Sequence, residues 1–246
     1  MTMSGSVNQE SALAARRARR RAEEVAAIPR WYNPWGHLAC TTGTGLVVLL
    51  VAVFSLENIR PVEWLTVPLV FLFANAFEWH VHRNVLHRRF RPATLLYEKH
   101  TPLHHGIYTE HDMEMLSTQE FRLVLIPAFG VLGIVVVTAP LAIALGWLLS
   151  PNTGWLFLVT ASLYMVTYEL LHLTYHLPRN SFLGRRKLTG ILRRHHGRHH
   201  DPRLMQKWNF NVTLPLFDWI MGTIAKDLGQ DDAGHPDSPP SSPTPT

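Results

Sequence analysis

Residues 123–168 read LVLIPAFGVLGIVVVTAPLAIALGWLLSPNTGWLFLVTASLYMVTY and contain no Asp, Glu, Lys, Arg or His. As one helix this run would be about 69 Å long, whereas one crossing of the hydrocarbon core of a bilayer takes roughly 30 Å. It is therefore long enough for two membrane spans and too short for three. The turn-forming sequence Ser150–Gly154 stands where two spans would meet, so we predict a break there.

Two further apolar stretches lie upstream of this run. Leu38–Leu56 has no charged residue, and Pro61–Phe77 has only Glu63. Each is long enough to span a bilayer as a helix. The sequence therefore predicts an all-α membrane protein with four transmembrane helices. Its single cysteine excludes an internal disulfide and a cysteine-based metal cluster.

The basic residues predict the orientation of these four spans. The chain has 23 Lys and Arg residues, and in a four-span arrangement all of them except Arg60 fall on one side. Loops rich in Lys and Arg stay in the cytoplasm, so we expect this side to be cytoplasmic and the membrane to be the plasma (inner) membrane. A fully buried helical bundle in a soluble protein is the alternative, but it does not explain the charge asymmetry.

The two ends of the chain differ in composition from the apolar middle. Residues 1–30 are polar and include the arginine cluster Arg16–Arg21, and we predict a disordered basic tail. Residues 229–246 are rich in Pro and Ser, and we predict disorder there as well. We expect no nucleic-acid partner for the arginine cluster, because it precedes a membrane domain.

Histidine is unusually common and is concentrated in two regions on the basic side. The chain has 15 histidines. We set His111 aside as a bystander, which leaves twelve histidines in the two regions. The first region contains His80, His82, His87, His100, His104 and His105, and the second contains His172, His176, His195, His196, His199 and His200. Four spans bring the two regions to the same face of the membrane, whereas three or five would separate them.

The spacing of these histidines favours a metal site. His172 and His176 are four residues apart, so on a helix both imidazoles project from one face. His82 and His87 are five apart, which is about 140° around a straight α-helix. Ten neutral imidazoles exceed the four or so ligands of one zinc ion, so we predict two ions. Imidazole suits iron, zinc, copper and nickel, and the spacing does not choose among them.

Ten of the histidines fall into four short motifs along the chain. These are His82-x4-His87, His100-x3-His104-His105, His172-x3-His176 and His196-x2-His199-His200. Together they resemble the signature of the fatty acid hydroxylase / sterol desaturase superfamily, which consists of integral-membrane di-iron oxygenases. The segment Asn209–Thr213, followed by Asp218 and Gly222-Thr223, is similar to the closing "NFG…D…GT" pattern of that family. Asn211 replaces the usual glycine, and we expect the turn to survive because asparagine tolerates left-handed backbone.

This resemblance implies a fold and an activity. Residues 31–228 would form a transmembrane fatty acid hydroxylase-like domain with a cytoplasmic histidine-rich helical cap that holds a dimetal site. The implied ligands are His82, His87, His100, His104, His105, His172, His176, His196, His199 and His200. The implied cofactors are two iron ions, with O2 as co-substrate. The reaction would be hydroxylation or desaturation of a lipid taken from the bilayer, with electrons from a ferredoxin- or cytochrome-type donor and its reductase.

Carboxylates near the motifs are candidate hydrogen-bond partners for the ligating imidazoles. Glu169 precedes His172 by three residues on the same helical face, and we predict that it accepts an imidazole N–H. Glu78, Asp112 and Asp201 are further candidates for the same role.

Two other functions compete with the oxygenase. A histidine-rich membrane metal transporter would place ionisable residues near the middle of the spans, and residues 123–168 have none. A zinc-dependent hydrolase would need a base beside its metal, and the sequence has no His-Glu-x-x-His motif. The sequence does not name the lipid.

Overall fold

The computed structural model describes residues 3–226, and this part of the chain is helical. The helices are α1 Met3–Ala26, α2 Pro34–Phe54, α3 Thr66–Val81, α4 Thr94–Glu98, α5 His105–Ile107, α6 Phe121–Val124, α7 Ala128–Leu148, α8 Pro151–His176, α9 Lys187–His199 and α10 Leu216–Ile220. Two π-helical turns cover His82–Leu86 and Lys99–His104. No strand forms between residues 3 and 226, where one isolated bridge joins Thr109 and Asp112. Residues 229–246, for which we predicted disorder, lie outside the described range.

Four helices are long and apolar enough to cross a membrane, which confirms the predicted number. They cover Pro34–Phe54, Pro61–Leu86, Phe129–Leu148 and Pro151–His176. Large apolar side chains point outward from them, and Trp147 is 92% exposed. Such a surface is expected where the solvent is lipid rather than water. The protein is therefore a multi-pass membrane protein.

Local sequence signals fix where two of the spans begin. The Asn33 side chain accepts a hydrogen bond from the Gly36 N–H, and Pro34 occupies the first turn of α2. The Ser150 side chain caps α8 in the same way, with Pro151 in the first turn. Both arrangements are favourable at helix starts, where backbone N–H groups lack partners and proline loses nothing. The break after α7 thus falls where the sequence predicts it.

Helix α8 is the centre of the bundle and packs against α2, α3 and α7. Small residues allow the close approach. A Cβ atom on Gly154 would lie 2.6 Å from the Ala142 carbonyl oxygen of α7, and one on Gly45 of α2 would lie 2.6 Å from Val166 of α8. Contacts of this kind let membrane helices gain van der Waals packing where no hydrophobic effect drives them together.

The N-terminal segment differs from the disordered tail that we expected, because Met3–Ala26 forms helix α1. Its sequence is rich in Ala, Arg and Glu, which favour helix. The end of α1 is also docked on the rest of the protein, since buried Arg21 forms an ion pair with buried Glu120. A prediction from composition could not anticipate a partner 99 residues away in the sequence.

The orientation of the spans can be tested by cysteine labelling. We expect Glu57→Cys, beside Asn152, and Arg185→Cys, beyond α8, to react with an impermeant thiol reagent from opposite sides of the membrane. Cys40→Ser provides the background without the natural thiol. Labelling of both positions from the same side would contradict the four-span arrangement.

The contact between α7 and α8 can be tested at Gly154. We expect Gly154→Val to lower the midpoint of thermal unfolding in detergent, because forcing extra atoms into a packed contact typically costs about 1–3 kcal/mol. Gly133→Val is the matched control, since a Cβ atom at Gly133 would meet nothing within 4 Å. Equal unfolding midpoints for the two variants would show that this contact is not close.

Candidate metal centre

Ten histidines converge at the basic-side end of the bundle in two groups of five. The first group is His82, His87, His100, His105 and His199, and the second is His104, His172, His176, His196 and His200. Within each group the candidate ligand nitrogens all lie within 4.8 Å of one another. The groups adjoin, because the His105 and His200 rings stack with their centroids 4.2 Å apart. Each group could hold one metal ion, and both contain only residues that the sequence singled out.

The π-helical turns decide which histidines share a group. The His87 N–H donates to the His82 carbonyl oxygen at 3.1 Å, and the His105 N–H donates to that of His100. A hydrogen bond between residues five apart widens the helical turn and brings His82 and His87 together, although a straight α-helix would separate them. Pro102 lies in the second π-helical turn, where its missing N–H removes an α-helical hydrogen bond. π-Helical turns are frequent at functional sites.

Helices α8 and α9 supply the other ligands through regular helical spacing. His172 and His176 on α8 both enter the second group, as their four-residue spacing predicted. His196 and His200 do the same at the end of α9, while His199 turns to the first group. The end of α9 therefore contributes to both groups.

Three histidines near the motifs lie outside both groups. His80 contacts Asn84 on the exposed side of α3, and the His195 ring lies 3.2 Å from the Asp218 carboxylate. His111 is exposed. None of the three belongs to either group.

Backbone carbonyl groups fix the rings of five of the ten histidines. Their Nδ1 atoms hydrogen-bond to carbonyl oxygens as follows: His82 to Phe210, His104 to Leu123 at 2.9 Å, His176 to Met113 at 2.8 Å, His199 to Trp208 at 2.9 Å and His200 to Tyr108 at 2.8 Å. A carbonyl oxygen only accepts, so each Nδ1 carries the proton and each Nε2 presents a lone pair. This is how proteins commonly orient histidines that ligate a metal.

Two Nε2 lone pairs, those of His87 and His199, face each other within the first group. The Nε2 atoms of His87 and His199 lie 2.8 Å apart. The Thr101 hydroxyl donates to the Leu86 carbonyl oxygen, so it must accept from the His87 Nδ1–H, which leaves Nε2 of His87 unprotonated. Two lone pairs at this distance repel each other, and a cation bound by both removes the repulsion.

The second group also fits a metal. The Nε2 atoms of His104, His172 and His176 are buried and have no hydrogen-bond partner among residues 3–226. Buried polar atoms are seldom left unpaired, because they have given up their bonds to water. A bound metal ion would satisfy all three.

Three of the grouped imidazoles that lie outside the spans, His87, His105 and His196, have a lowered pKa and are held neutral. Burial, followed by repulsion from neighbouring imidazoles, lowers the pKa of His87 to about 2. The same causes hold the pKa values of His105 and His196 well below the ordinary value. Neutral rings at physiological pH are the form that binds metal, so the site does not need to release protons before a metal enters.

The carboxylates that we expected to accept imidazole N–H groups have other partners. Glu169 accepts from the Ile126 backbone N–H at 3.1 Å, which corrects the predicted bond to an imidazole. Glu78 accepts from Thr213, Asp201 pairs with Arg203, and Asp112 lies near Arg21. Backbone carbonyls already accept from five of the grouped histidines, and a sequence does not show which carbonyl a ring will meet.

The closing loop, residues 208–213, is one source of these carbonyls. The buried Asp218 carboxylate accepts from the backbone N–H groups of Phe210 at 2.9 Å and Asn211 at 2.7 Å. The left-handed residue is Asn209, with φ of 58°, and not Asn211 as we expected. Asn211 instead bonds through its side chain to the backbone of Asn75 and Asp218, which glycine could not do.

An apolar cavity of about 790 Å³ leads from the spans to the histidines. Its lining includes Phe73 and Phe77 of α3, Ile134 and Leu141 of α7, and Phe157 and Ala161 of α8. At one end it reaches four of the grouped histidines, His82, His100, His104 and His172. Along α8 the lining extends from Phe157 to His172, which is about 22 Å at 1.5 Å per residue. The cavity therefore suits a long apolar molecule.

The chain is similar to a known protein family. A family model described as fatty acid hydroxylase matches residues 67–223, which is more than half of the chain. This range contains all ten grouped histidines and the closing loop. No curated protein and no solved structure matches the chain.

The two groups predict the metal content of the purified protein. We expect His172→Ala and His199→Ala, one in each group, each to lower the bound metal by about one of two ions per chain, since each loses one of the ligands that hold that ion. Elemental analysis of protein purified under identical conditions measures this. His111→Ala is the control, because His111 is exposed and outside both groups. Undiminished metal in either ligand variant would remove that histidine from the site.

Proposed function

The chain belongs to the fatty acid hydroxylase family of membrane lipid hydroxylases and desaturases, and from this premise we propose that it is a di-iron oxygenase. It would hydroxylate or desaturate a C–H bond of a lipid with O2 and external electrons. The facing lone pairs of His87 and His199 are the main support for a metal, because a bound cation would remove their repulsion. The proposed reaction rests on the membership of this family.

The ten grouped histidines would hold two iron ions, one ion in each group. Each group offers five nitrogen donors, more than the four of a structural zinc site, which favours an ion that takes more ligands. Imidazole is a suitable ligand for iron. When bound, the iron pair would supply the activation of O2 for attack on a C–H bond. The protein's part is to fix the rings through their Nδ1–H bonds and to exclude water from the centre.

The apolar cavity would bind the lipid chain. It lies among α3, α7 and α8, so a lipid would enter from the bilayer and keep its chain in an apolar environment. Its volume falls within the roughly 300–1,000 Å³ usual for small-molecule sites. The lipid chain would then pass His82, His100, His104 and His172, so that one of its C–H bonds would lie beside the metals.

The electrons would come from another protein. The chain has a single cysteine, so it lacks the ligands for an iron–sulfur cluster of its own. We propose a ferredoxin- or cytochrome-type donor with its reductase, acting at the basic side. By the positive-inside rule that side would be cytoplasmic, and the spans would lie in the plasma membrane.

Lipid analysis of cells that express the protein with an electron donor tests this function. We expect a lipid that gains one oxygen atom or loses two hydrogens, and an oxygen that derives from isotope-labelled O2 in the first case. His172→Ala and His199→Ala should abolish the product, because each removes a metal ligand, whereas His111→Ala should not.

The metal content of the same preparations separates failure of the enzyme from failure of the assay. An iron-loaded wild-type protein with an unchanged lipid profile, in cells where a known member of the family gives product, would contradict the proposed reaction. Wild-type turnover by the His172→Ala protein would contradict the proposed centre.

A further inference from the structure

Arg21 is buried, in contrast to its neighbours on helix α1. Its side chain is 7% exposed, whereas Arg16, Arg19 and Arg20 are exposed. Taking a guanidinium group out of water is unfavourable unless a partner compensates for the lost hydration. Arg21 therefore identifies the point at which α1 is attached to the rest of the protein.

The partner of Arg21 is Glu120, whose side chain is 2% exposed. Both Nε and a terminal nitrogen of Arg21 donate to one oxygen of Glu120, at 2.9 and 2.6 Å. The same terminal nitrogen also donates to the Glu114 carbonyl oxygen at 2.6 Å. Glu120 further accepts from the Tyr108 hydroxyl at 2.6 Å and from the Leu116 N–H at 3.0 Å. This network holds both ends of residues 108–116.

Residues 108–116 orient two histidines of the second group. The Tyr108 carbonyl oxygen accepts from Nδ1 of His200, and that of Met113 accepts from Nδ1 of His176, both at 2.8 Å. The Met115 N–H in turn donates to the His176 carbonyl oxygen at 2.8 Å. The segment that Arg21 and Glu120 hold is therefore the one that fixes these two rings.

The first group is anchored elsewhere. His82 and His199 bond to the carbonyl groups of Phe210 and Trp208, in the closing loop that Asp218 holds. No hydrogen bond in the described part of the chain joins Arg21 to that loop. A change at Arg21 should consequently reach one metal position and spare the other.

We propose that Arg21 is a positioning residue for the second histidine group, acting through Glu120 and residues 108–116. Helix α1 is then part of the support of the metal centre rather than a tail that only sets orientation. The inference rests on the proposed function to the extent that the two groups hold metal. It adds that the two metal positions have separate supports.

Metal titration of the purified apoprotein tests this with Fe²⁺ under anaerobic conditions, and with Co²⁺ as a spectroscopic probe. For Arg21→Gln we expect the affinity of one position to fall about 10–100-fold, as is typical when a group that orients a ligand is lost, and the other to stay unchanged. Arg21→Lys keeps the charge but not the forked donors, so it should restore part of the affinity. Arg19→Gln is the matched control, because Arg19 is exposed and pairs only locally with Glu23.

Two further variants keep the test decisive if Arg21→Gln does not fold. Tyr108→Phe removes one bond to Glu120 and leaves Arg21 intact, so it should weaken the same position by less. Arg21→Gln combined with Glu120→Gln avoids an unpaired buried carboxylate and should still weaken that position. Helix content and elution volume of each variant show whether it is folded.

The outcomes separate this proposal from the proposed function. Wild-type protein that binds fewer than two ions would contradict the dimetal centre itself. Wild-type protein that binds two ions, beside a folded Arg21→Gln protein with two unchanged affinities, would overturn only the role of Arg21. Equal weakening of both positions would also overturn it, because that is the effect of a general loss of stability.

Discussion

Unprotonated imidazole nitrogens that face one another inside the protein are the constraint on which the rest of this structure depends. Without a cation, the 2.8 Å approach of His87 and His199 is repulsive, and the buried Nε2 atoms of His104, His172 and His176 are unpaired within residues 3–226. A bound metal pair would relieve both the repulsion and the lack of partners, provided that each ring is held in one tautomer and one orientation. Most of the polar contacts at this end of the molecule can be understood as serving that requirement.

Carboxylates support the histidine groups indirectly, by binding the backbone segments that orient the rings. Asp218 binds the N–H groups of the closing loop, whose carbonyls orient His82 and His199. Glu120 binds the ends of residues 108–116, and Glu169 binds Ile126, three residues after the carbonyl that orients His104. Each carboxylate thereby fixes a backbone segment whose carbonyl group orients one or two of the grouped histidines.

The membrane spans and the histidine groups meet on helix α8. Its apolar part packs against α2, α3 and α7, and its last turns carry His172 and His176. The cavity follows the same helix toward the metal groups, so an apolar chain held by the spans would end beside them. The bundle thus links an apolar cavity among the spans to a histidine-rich centre at one end of them.

The sequence by itself determined the four spans, the side on which the histidines gather, and the identity of the ten that come together. The spans follow from the length of uncharged runs, and the ten histidines follow from the four motifs in which the sequence resembles a known family. Only the tertiary structure decided how the ten divide into two groups, because π-helical turns at His82–Leu86 and Lys99–His104 change the angular spacing of residues along a helix. It also decided that Glu169 binds Ile126, that Asn209 is left-handed, and that Arg21 anchors α1. Each of these depends on which atoms meet in three dimensions, and neither composition nor periodicity encodes which backbone group will face a given side chain.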